Sequence, residues 1–283
     1  MKLSMETFSA CIKLGERNGF KAIKDAGFDC VDYSFYGDVN PPEVLGEKYA
    51  EHAKEVRAIL DELGLTCNQA HAPFWMEYGD PFDVKFIKYK ELIRSFEAAS
   101  IMGAENIVVH SLAVPVGIDV MDYNEKYYKS LEPYCKKFGI KVAIENLFYY
   151  DNKSDCYCGR IHTPEMLYDM LERLDSEWFV VCVDVGHAGV TGIEPDEMIK
   201  ALDNKVLRAL HIHDNDYKED SHLFPYHGKF DWNKIMSALK EIDYQGDLTL
   251  EVPDQLHGFE VDFLPDAIVY AGKIAKSLAE KLN

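Results

Sequence analysis

The stretch WFVVCVDVGH, residues 178–187, joins a continuously apolar run to a group of polar residues that follows it directly. Apolar side chains at successive positions are typical of a parallel strand buried on both faces, because a half-exposed strand would alternate apolar with polar residues. NIVV at 106–109 and KVAI at 141–144 are runs of the same kind. Together these runs predict an α/β protein with a buried parallel sheet.

Eight such runs alternate with amphipathic helical segments along the chain. The predicted strands cover residues 2–6, 28–33, 65–70, 106–110, 141–145, 178–184, 206–213 and 247–251. Several helical segments end at a glycine, the residue expected just past a helix C-terminus. Eight β/α units predict a single (β/α)8 TIM barrel, and we assign residues 1–283 to one domain. An open doubly wound sheet is the alternative, but neither GxGxxG nor GxxxxGK[ST] follows the first strand.

Composition restricts the location and the partners of the chain. Its 283 residues, 47% of them hydrophobic, are enough for one large core. The sequence has no signal peptide and no run of about 18 apolar residues that would span a membrane, so we expect a cytoplasmic protein. The formal net charge of −19 argues against nucleic acid as a partner, because phosphate backbones attract clustered Lys and Arg. A small-molecule substrate fits this charge better.

The cysteines predict reduced thiols. The seven residues are scattered and lack the two CxxC pairs of a zinc ribbon. Cys156 and Cys158, separated by one residue, are the exception, and a local metal or redox role is the alternative for this pair.

The predicted strands lead into potential metal ligands. TIM-barrel enzymes carry their active groups where strands pass into the following loops. Taken singly, a histidine there is usually structural and a carboxylate often caps the next helix. If several such histidines and carboxylates gather at the end of the barrel, away from water, they would repel one another or be poorly solvated unless a cation organised them. The residues concerned are His71, His110, Glu145, Asp184, His187, His211, His213 and Glu251, with Asp220 and His222 in the loop after the seventh strand.

Two glutamates, an aspartate and a histidine form the inner set of this cluster. Glu145, Asp184, His211 and Glu251 offer hard oxygen ligands and one imidazole, which suits Mn²⁺, Mg²⁺ or Co²⁺, while extra histidines favour Zn²⁺. A divalent metal held there would leave room for two vicinal oxygens of a sugar and would acidify the adjacent C–H. Because the two glutamates come from opposite sides of the ring, they could address both faces of a ketose or enediolate. This arrangement predicts an isomerase or epimerase.

The motifs that carry these residues resemble those of the xylose isomerase-like superfamily over nearly the whole chain. They are IEN around Glu145, VDVGH around Asp184, HIHDND around His211, DSHLFPYHGKFDW at 220–232 and LTLEVP around Glu251. The superfamily includes sugar-phosphate isomerases and epimerases, ketose 3-epimerases, inositol-catabolism enzymes and abasic-site endonucleases. The resemblance implies a principal metal on Glu145, Asp184, His211 and Glu251, an acid/base role for the two glutamates, and His187 close to the substrate.

The same resemblance leaves the number of metals open. His71, His110, Asp220 and His222 are similar to the residues that hold additional zinc ions in the endonuclease branch. Polar residues in these places also line the sugar pocket of isomerase-like members. We favour a single metal, because the acidic charge balance argues against DNA.

The sequence departs from the family pattern at three positions. Tyr226 stands where the first glycine of a PGxGxxDW pattern is usual, and His227 precedes the second glycine. His213 stands where Lys or Asn is common. These changes indicate a reshaped loop over the metal and a possible extra proton shuttle.

Aromatic residues concentrate in two loops after predicted strands. Trp75, Phe148, Tyr149 and Tyr150 could stack on a sugar or close the pocket, or could instead pack within the loops or against a neighbouring subunit of a possible homo-oligomer. Arg160 in the second loop could bind a phosphate or carboxylate, or form a surface ion pair.

The leading prediction is therefore a divalent-metal-dependent isomerase or epimerase. It would act on a sugar, sugar phosphate or inositol-type ketone by proton transfer through an enediolate. One alternative is a zinc-dependent phosphodiesterase like the abasic-site endonucleases, and another is a keto-sugar lyase or dehydratase. The substrate and the metal are left open at this point.

Overall fold

Strands and helices alternate along the chain in this computed structural model, which describes residues 1–35, 42–151 and 156–282. The strands are β1 (Leu3–Glu6), β2 (Cys30–Ser34), β3 (Thr66–His71), β4 (Asn106–Val109), β5 (Lys141–Glu145), β6 (Phe148–Asp151), β7 (Cys156–Gly159), β8 (Phe179–Asp184), β9 (Leu207–His211) and β10 (Leu248–Leu250). The helices are α1 (Phe8–Leu14), α2 (Glu16–Asp25), α3 (Pro42–Leu45), α4 (Tyr49–Leu63), α5 (Ile87–Met102), α6 (Val120–Phe138), α7 (Pro164–Leu174), α8 (Val185–Val190), α9 (Pro195–Ala201), α10 (Trp232–Glu241), α11 (Pro253–His257) and α12 (Leu264–Glu280).

Eight of the strands form one parallel sheet in the order β10-β1-β2-β3-β4-β5-β8-β9. The two end strands of this order meet just beyond β9, where Ile212 N–H donates to the carbonyl of Thr249 at 2.8 Å and Glu251 N–H donates to the carbonyl of Ile212 at 3.0 Å. The sheet therefore closes on itself, and the predicted single TIM barrel is confirmed. Each of the eight predicted strands overlaps one observed barrel strand. The antiparallel pair β6–β7 lies outside the barrel, in a region where the sequence predicted a loop.

Alternate residues of the barrel strands face two different cores. In β5, Val142 and Ile144 belong to the main core that the helices cover, whereas Ala143 belongs to a small second cluster. The other members of that cluster come from β4, β8 and β9, so it lies on the inner face of the barrel. Glu145 is two residues beyond Ala143 and shares its face. The same period of two directs Asp184 and His211, the last residues of β8 and β9, inward; the remaining cluster members are Val108, Val180, Cys182 and Ala209.

The helix ends follow the signals read from the sequence. Helices α4 and α6 are followed by Gly64 and Gly139, which adopt the left-handed conformation with φ of 67° and 68°. Helix α7 begins after Thr163, whose side chain accepts a hydrogen bond from the N–H of Met166, and Pro164 occupies its first turn. These caps fix where each helix starts and stops against the barrel.

The cysteine and membrane predictions can be compared with the described residues. Five cysteines are free thiols, and the side chains of Cys156 and Cys158 lie outside the described residues; the five are Cys11, Cys30, Cys67, Cys135 and Cys182. Among the helices that the structure describes, none is long and apolar enough to cross a membrane.

Candidate metal and substrate site

Four acidic or imidazole side chains converge at the carboxyl ends of neighbouring strands. Glu145, Asp184 and His211 are the last residues of β5, β8 and β9, and Glu251 follows β10. All four are buried, and their ligand atoms lie within 4.8 Å of one another. His211 Nδ1 lies 2.6 Å from Glu145 Oε1 and 3.3 Å from Glu251 Oε2. The structure thus brings together the four residues predicted as the principal metal ligands.

The charges of this group fit a divalent cation. In the described part of the chain, the ion-pair partners of these three carboxylates are all histidines and never Lys or Arg. Burying three carboxylates side by side is costly unless positive charge compensates them. Three hard oxygen donors with one imidazole are a donor set that Mn²⁺, Co²⁺ or Zn²⁺ accepts.

The two glutamates lie in different electrostatic environments. Burial raises the pKa of Glu251 well above its ordinary value, and the nearby carboxylates of Asp184 and Glu145 raise it further. Burial also acts to raise the pKa of Glu145, but its contacts with His211 and His110 outweigh burial and bring that pKa well below its ordinary value. When only the charges of the protein are considered, the side chain of Glu145 is the one that is ionised more readily, and the side chain of Glu251 is the one that retains a proton more readily.

Two histidines extend the cluster beside Glu145. His110 Nε2 lies 2.8 Å from Glu145 Oε2, and His71 Nε2 lies 3.2 Å from His110 Nε2. His71, Glu145 and His211 form a second group of mutually close ligand atoms. Burial lowers the pKa of His110 to about 4, which leaves its imidazole neutral and able to donate a lone pair.

A third group lies on the other side of the principal set. His187 Nε2 and His222 Nε2 lie 3.4 Å and 3.2 Å from the same atom, Asp220 Oδ2. The Nδ1–H of His187 donates to the carbonyl of Asn146 at 3.0 Å, which directs Nε2 towards Asp220. All of the outer residues predicted from the sequence therefore adjoin the principal set.

Asp184, Gly186 and His187 of the VDVGH motif each have a structural role at the start of α8. Asp184 is the N-cap of α8, where its Oδ1 accepts a hydrogen bond of 2.6 Å from the N–H of His187. A side chain at Gly186 would overlap the imidazole of His213, since a Cβ there would lie 1.9 Å from His213 Cε1. His213 Nε2 lies 3.0 Å from both carboxylate oxygens of Asp184, and its ring stacks on His222. These contacts are those of a residue that supports Asp184; the extra proton shuttle suggested by the sequence stays a prediction.

Sequence reasoning missed a carboxylate behind His211. Asp32, fully buried in β2, lies with Oδ2 at 3.1 Å from His211 Nε2 and accepts a 2.6 Å hydrogen bond from Gln69 Nε2. When His211 Nε2–H donates to Asp32, the lone pair of Nδ1 faces the two glutamates. A carboxylate that fixes the tautomer of a ligating histidine is a common support in metal sites. The only sequence signal was a charged residue in the middle of an apolar strand.

Seven of these side chains line a cavity of about 570 Å³, a volume suited to a small molecule; they are His71, His110, Glu145, His187, Asp220, His222 and Glu251. Phe148 and Arg160 line it, as predicted for the lid. Trp75 and Tyr149 do not line it, and the side chain of Tyr150 lies outside the described residues. Phe74 takes the place expected for Trp75, because adjacent residues point in different directions and Trp75 packs against the main core.

Tyr226, which stands where the family pattern has a glycine, adopts a backbone conformation that favours glycine. Tyr226 has φ of 74°, the left-handed conformation that favours glycine, and its side chain is exposed. Its N–H donates to Asp214 Oδ2 at 2.9 Å, and Trp232 Nε1–H donates to the same oxygen at 2.8 Å. The reshaping of the loop expected from the sequence stays a prediction.

Fold and site together define a TIM-barrel protein with a carboxylate and histidine centre at the carboxyl-terminal rim of its barrel. The sequence model of the xylose isomerase-like TIM barrel family matches residues 20–268, and the chain belongs to this family.

Two curated relatives resemble the chain in sequence. An uncharacterised protein of Methanocaldococcus jannaschii is 25% identical over 232 residues, which cover 72% of this chain and 77% of that protein. The inosose isomerase of Halalkalibacterium halodurans is 22% identical over 177 residues, which cover 58% of this chain and 60% of that enzyme.

Solved structures confirm the barrel fold. A D-tagatose 3-epimerase-like protein superposes with a TM-score of 0.73 at 21% identity, covering 100% of both chains. The D-psicose 3-epimerase of Clostridium cellulolyticum H10, solved with D-tagatose, gives 0.75 at 15% identity, with 98% of this chain and 99% of that chain covered. The IOLI protein solved with a bound zinc atom gives 0.71 at 17% identity, with 100% and 99% covered.

Proposed function

We propose that this chain is a divalent-metal-dependent isomerase or epimerase of a sugar, sugar phosphate or inositol-type ketone. The observation that carries the proposal is that Glu145 and Glu251 meet Asp184 and His211 in one buried group, and that both glutamates line the cavity. Family membership and the likeness to a D-tagatose 3-epimerase-like protein, a D-psicose 3-epimerase and an inosose isomerase support it. The partner would be a small carbohydrate; a cytoplasmic location and self-association remain predictions.

The chain's own residues would transfer the proton. Mn²⁺, Mg²⁺, Co²⁺ or Zn²⁺ bound by the four residues would polarise a substrate carbonyl and acidify the adjacent C–H. One of Glu145 and Glu251 would remove the proton from one face of the substrate, and the other would return a proton to the opposite face, with an enediolate between the two steps. His187, whose ring is oriented by Asn146 and contacts Phe148, would hydrogen-bond a substrate oxygen through Nε2.

The proposal is tested by metal analysis combined with solvent exchange. Protein purified without chelator is screened with ketoses in D₂O, and deuterium incorporation next to the carbonyl is followed by NMR. Glu145→Gln should lower kcat by about 10²- to 10⁴-fold, since a positioned acid/base contributes that much. Glu177→Gln, an exposed glutamate on the surface, is the matched control and should behave as wild type.

Metal content measured on each variant separates loss of the acid/base from loss of the metal. Glu145→Gln protein that still binds metal but no longer exchanges deuterium supports a direct role for this glutamate. Wild-type protein without stoichiometric metal, or Glu145→Gln with full turnover, contradicts the proposal.

A second candidate function is a zinc-dependent phosphodiesterase. It is favoured by the two outer groups, in which His71 and His110 adjoin Glu145, and His187 and His222 share Asp220. This function requires two or three zinc ions per chain and salt-sensitive cleavage of a duplex that contains an abasic site. A measured content of one metal per chain, together with a duplex that stays intact, excludes the phosphodiesterase.

A lyase or dehydratase would use the same pocket, and identification of the product distinguishes it from an isomerase.

A further inference from the structure

Arg160 is a cation in the wall of the cavity, and no carboxylate among the described residues forms an ion pair with it. No other lysine or arginine lines the cavity in the described part of the chain. Its backbone is fixed beside the end of β5, because Arg160 N–H donates to the carbonyl of Leu147 at 2.8 Å. Its Nη1–H donates to the carbonyl of Ser111 at 2.9 Å, one residue beyond His110. The guanidinium therefore lies against the wall between the ends of β4 and β5.

Most of the hydrogen-bonding capacity of Arg160 is unused. A guanidinium has five N–H donors, and the contact with Ser111 satisfies one of them. Its Nε is buried without an acceptor, and the chain as described places no carboxylate within ion-pair distance of it. The buried Arg94 differs, since its Nη2 lies 2.6 Å from Glu47 Oε1. In a sequence with 49 acidic and 30 basic residues, a partly buried arginine without a carboxylate is unusual.

A second polar group beside Arg160 also lacks a partner. The hydroxyl of Ser111 is buried, makes no hydrogen bond with the described residues, and belongs to a residue that lines the same cavity. The hydroxyl itself is closed off from solvent, so an anion in this part of the cavity would accept hydrogen bonds from the guanidinium N–H groups of Arg160. Planar, bidentate donors such as guanidinium match the oxygens of phosphate and carboxylate groups.

We infer that Arg160 binds an oxyanion substituent of the substrate, a phosphate monoester or a carboxylate, away from the carbons that react between Glu145 and Glu251. The inference rests on the proposed function for the sugar-like nature of the substrate. A charged group held at a distance from the reacting carbons would orient the substrate, so that binding energy at Arg160 accelerates the proton transfer. Arg160 then determines specificity for anionic over neutral ketoses.

The test compares three related substrates, a neutral ketohexose, its terminal phosphate and its terminal carboxylate. Wild type should prefer one of the two anionic compounds by about ten- to a hundredfold in kcat/KM, the effect of a hydrogen bond to a charged group. Arg160→Met, which keeps the length of the stem, should remove this preference, because kcat/KM for the preferred anionic ketose falls about ten- to a hundredfold more than kcat/KM for the neutral ketose. Arg160→Lys should retain part of the preference. Arg17→Met, the same change on an exposed residue, should alter neither. Which anionic compound is preferred identifies the substituent.

Equilibrium binding separates this inference from the proposed function. Inorganic phosphate and acetate are titrated calorimetrically into wild type and Arg160→Met, with near-UV circular dichroism as the check of folding. Binding of either anion that is about ten- to a hundredfold weaker in the variant supports the inference even if no ketose is converted, and in that case only the proposed function fails. Equal binding by both proteins, no binding to wild type, or an equal loss of activity towards neutral and anionic ketoses overturns it. If Arg160→Met does not fold, the same comparison is made with Arg160→Lys.

Discussion

Replacement of Asp32 by asparagine tests whether the buried carboxylate behind His211 sets the metal affinity of the centre. Asp32 Oδ2 lies 3.1 Å from His211 Nε2 and 2.6 Å from Gln69 Nε2. Asparagine has nearly the same volume, but it removes the negative charge and offers an N–H donor where His211 needs an acceptor. Loss of such a supporting residue typically weakens metal binding about 10- to 100-fold, which is about 1.4 to 2.8 kcal/mol.

The dissociation constant is measured by competition with a chromophoric chelator, and the tautomer of His211 by ¹⁵N NMR of labelled histidine. We expect weaker binding together with a larger population of the tautomer whose Nδ1 carries the proton. Asp25→Asn is the control, because Asp25 is an exposed member of a surface ion pair, and such pairs contribute little. A folded Asp32→Asn protein with an unchanged metal dissociation constant and an unchanged His211 tautomer refutes this reasoning.

Three further predictions concern stability and reactivity. Gly186→Ala should lower the free energy of unfolding by about 1–3 kcal/mol, since the new methyl overlaps His213; urea titration measures it, and the same substitution should cost much less when it is made in a His213→Ala background. Thr163→Ala should cost about 1 kcal/mol in the same assay through loss of the cap on α7, and an unchanged midpoint would show that the cap contributes nothing. Burial raises the pKa of the Cys67 thiol to about 12, so iodoacetamide at pH 8 should modify it only after unfolding; mass spectrometry that finds rapid labelling of the folded protein contradicts the assigned burial.

The barrel was predictable because its strands are apolar on both faces and its helices end in recognisable caps. The predicted strand at 106–110 corresponds to Asn106–Val109, and the one at 206–213 continues past the end of β9 through the residue that closes the barrel. The β6–β7 hairpin was missed because its connecting segment lacks the Asn-Gly or Asp-Gly pair that marks a tight turn. Its aromatic and acidic composition is typical of a loop.

The principal site was predictable to the extent that its residues stand at strand ends. Glu145 and Asp184 close apolar runs, and the position alone indicates where their side chains meet. Asp32 stands inside a strand, and its partner His211 is 179 residues away in sequence, so no local pattern joins them. Neither could the sequence distinguish Phe74 from Trp75, since only the packing of the loop decides which ring turns towards the cavity.

The pairing of β1 with β10 has a consequence for synthesis on the ribosome. Strand β1 lacks its hydrogen-bonded neighbour on one side until residues Leu248–Leu250 have been synthesised, because β10 lies between β1 and β9. Glu251 follows immediately, so the last strand to be translated both closes the barrel and delivers the fourth side chain of the proposed metal centre. A nascent chain that lacks this strand exposes two open sheet edges and has an incomplete centre, so a metal bound as proposed would be captured only when the fold is complete.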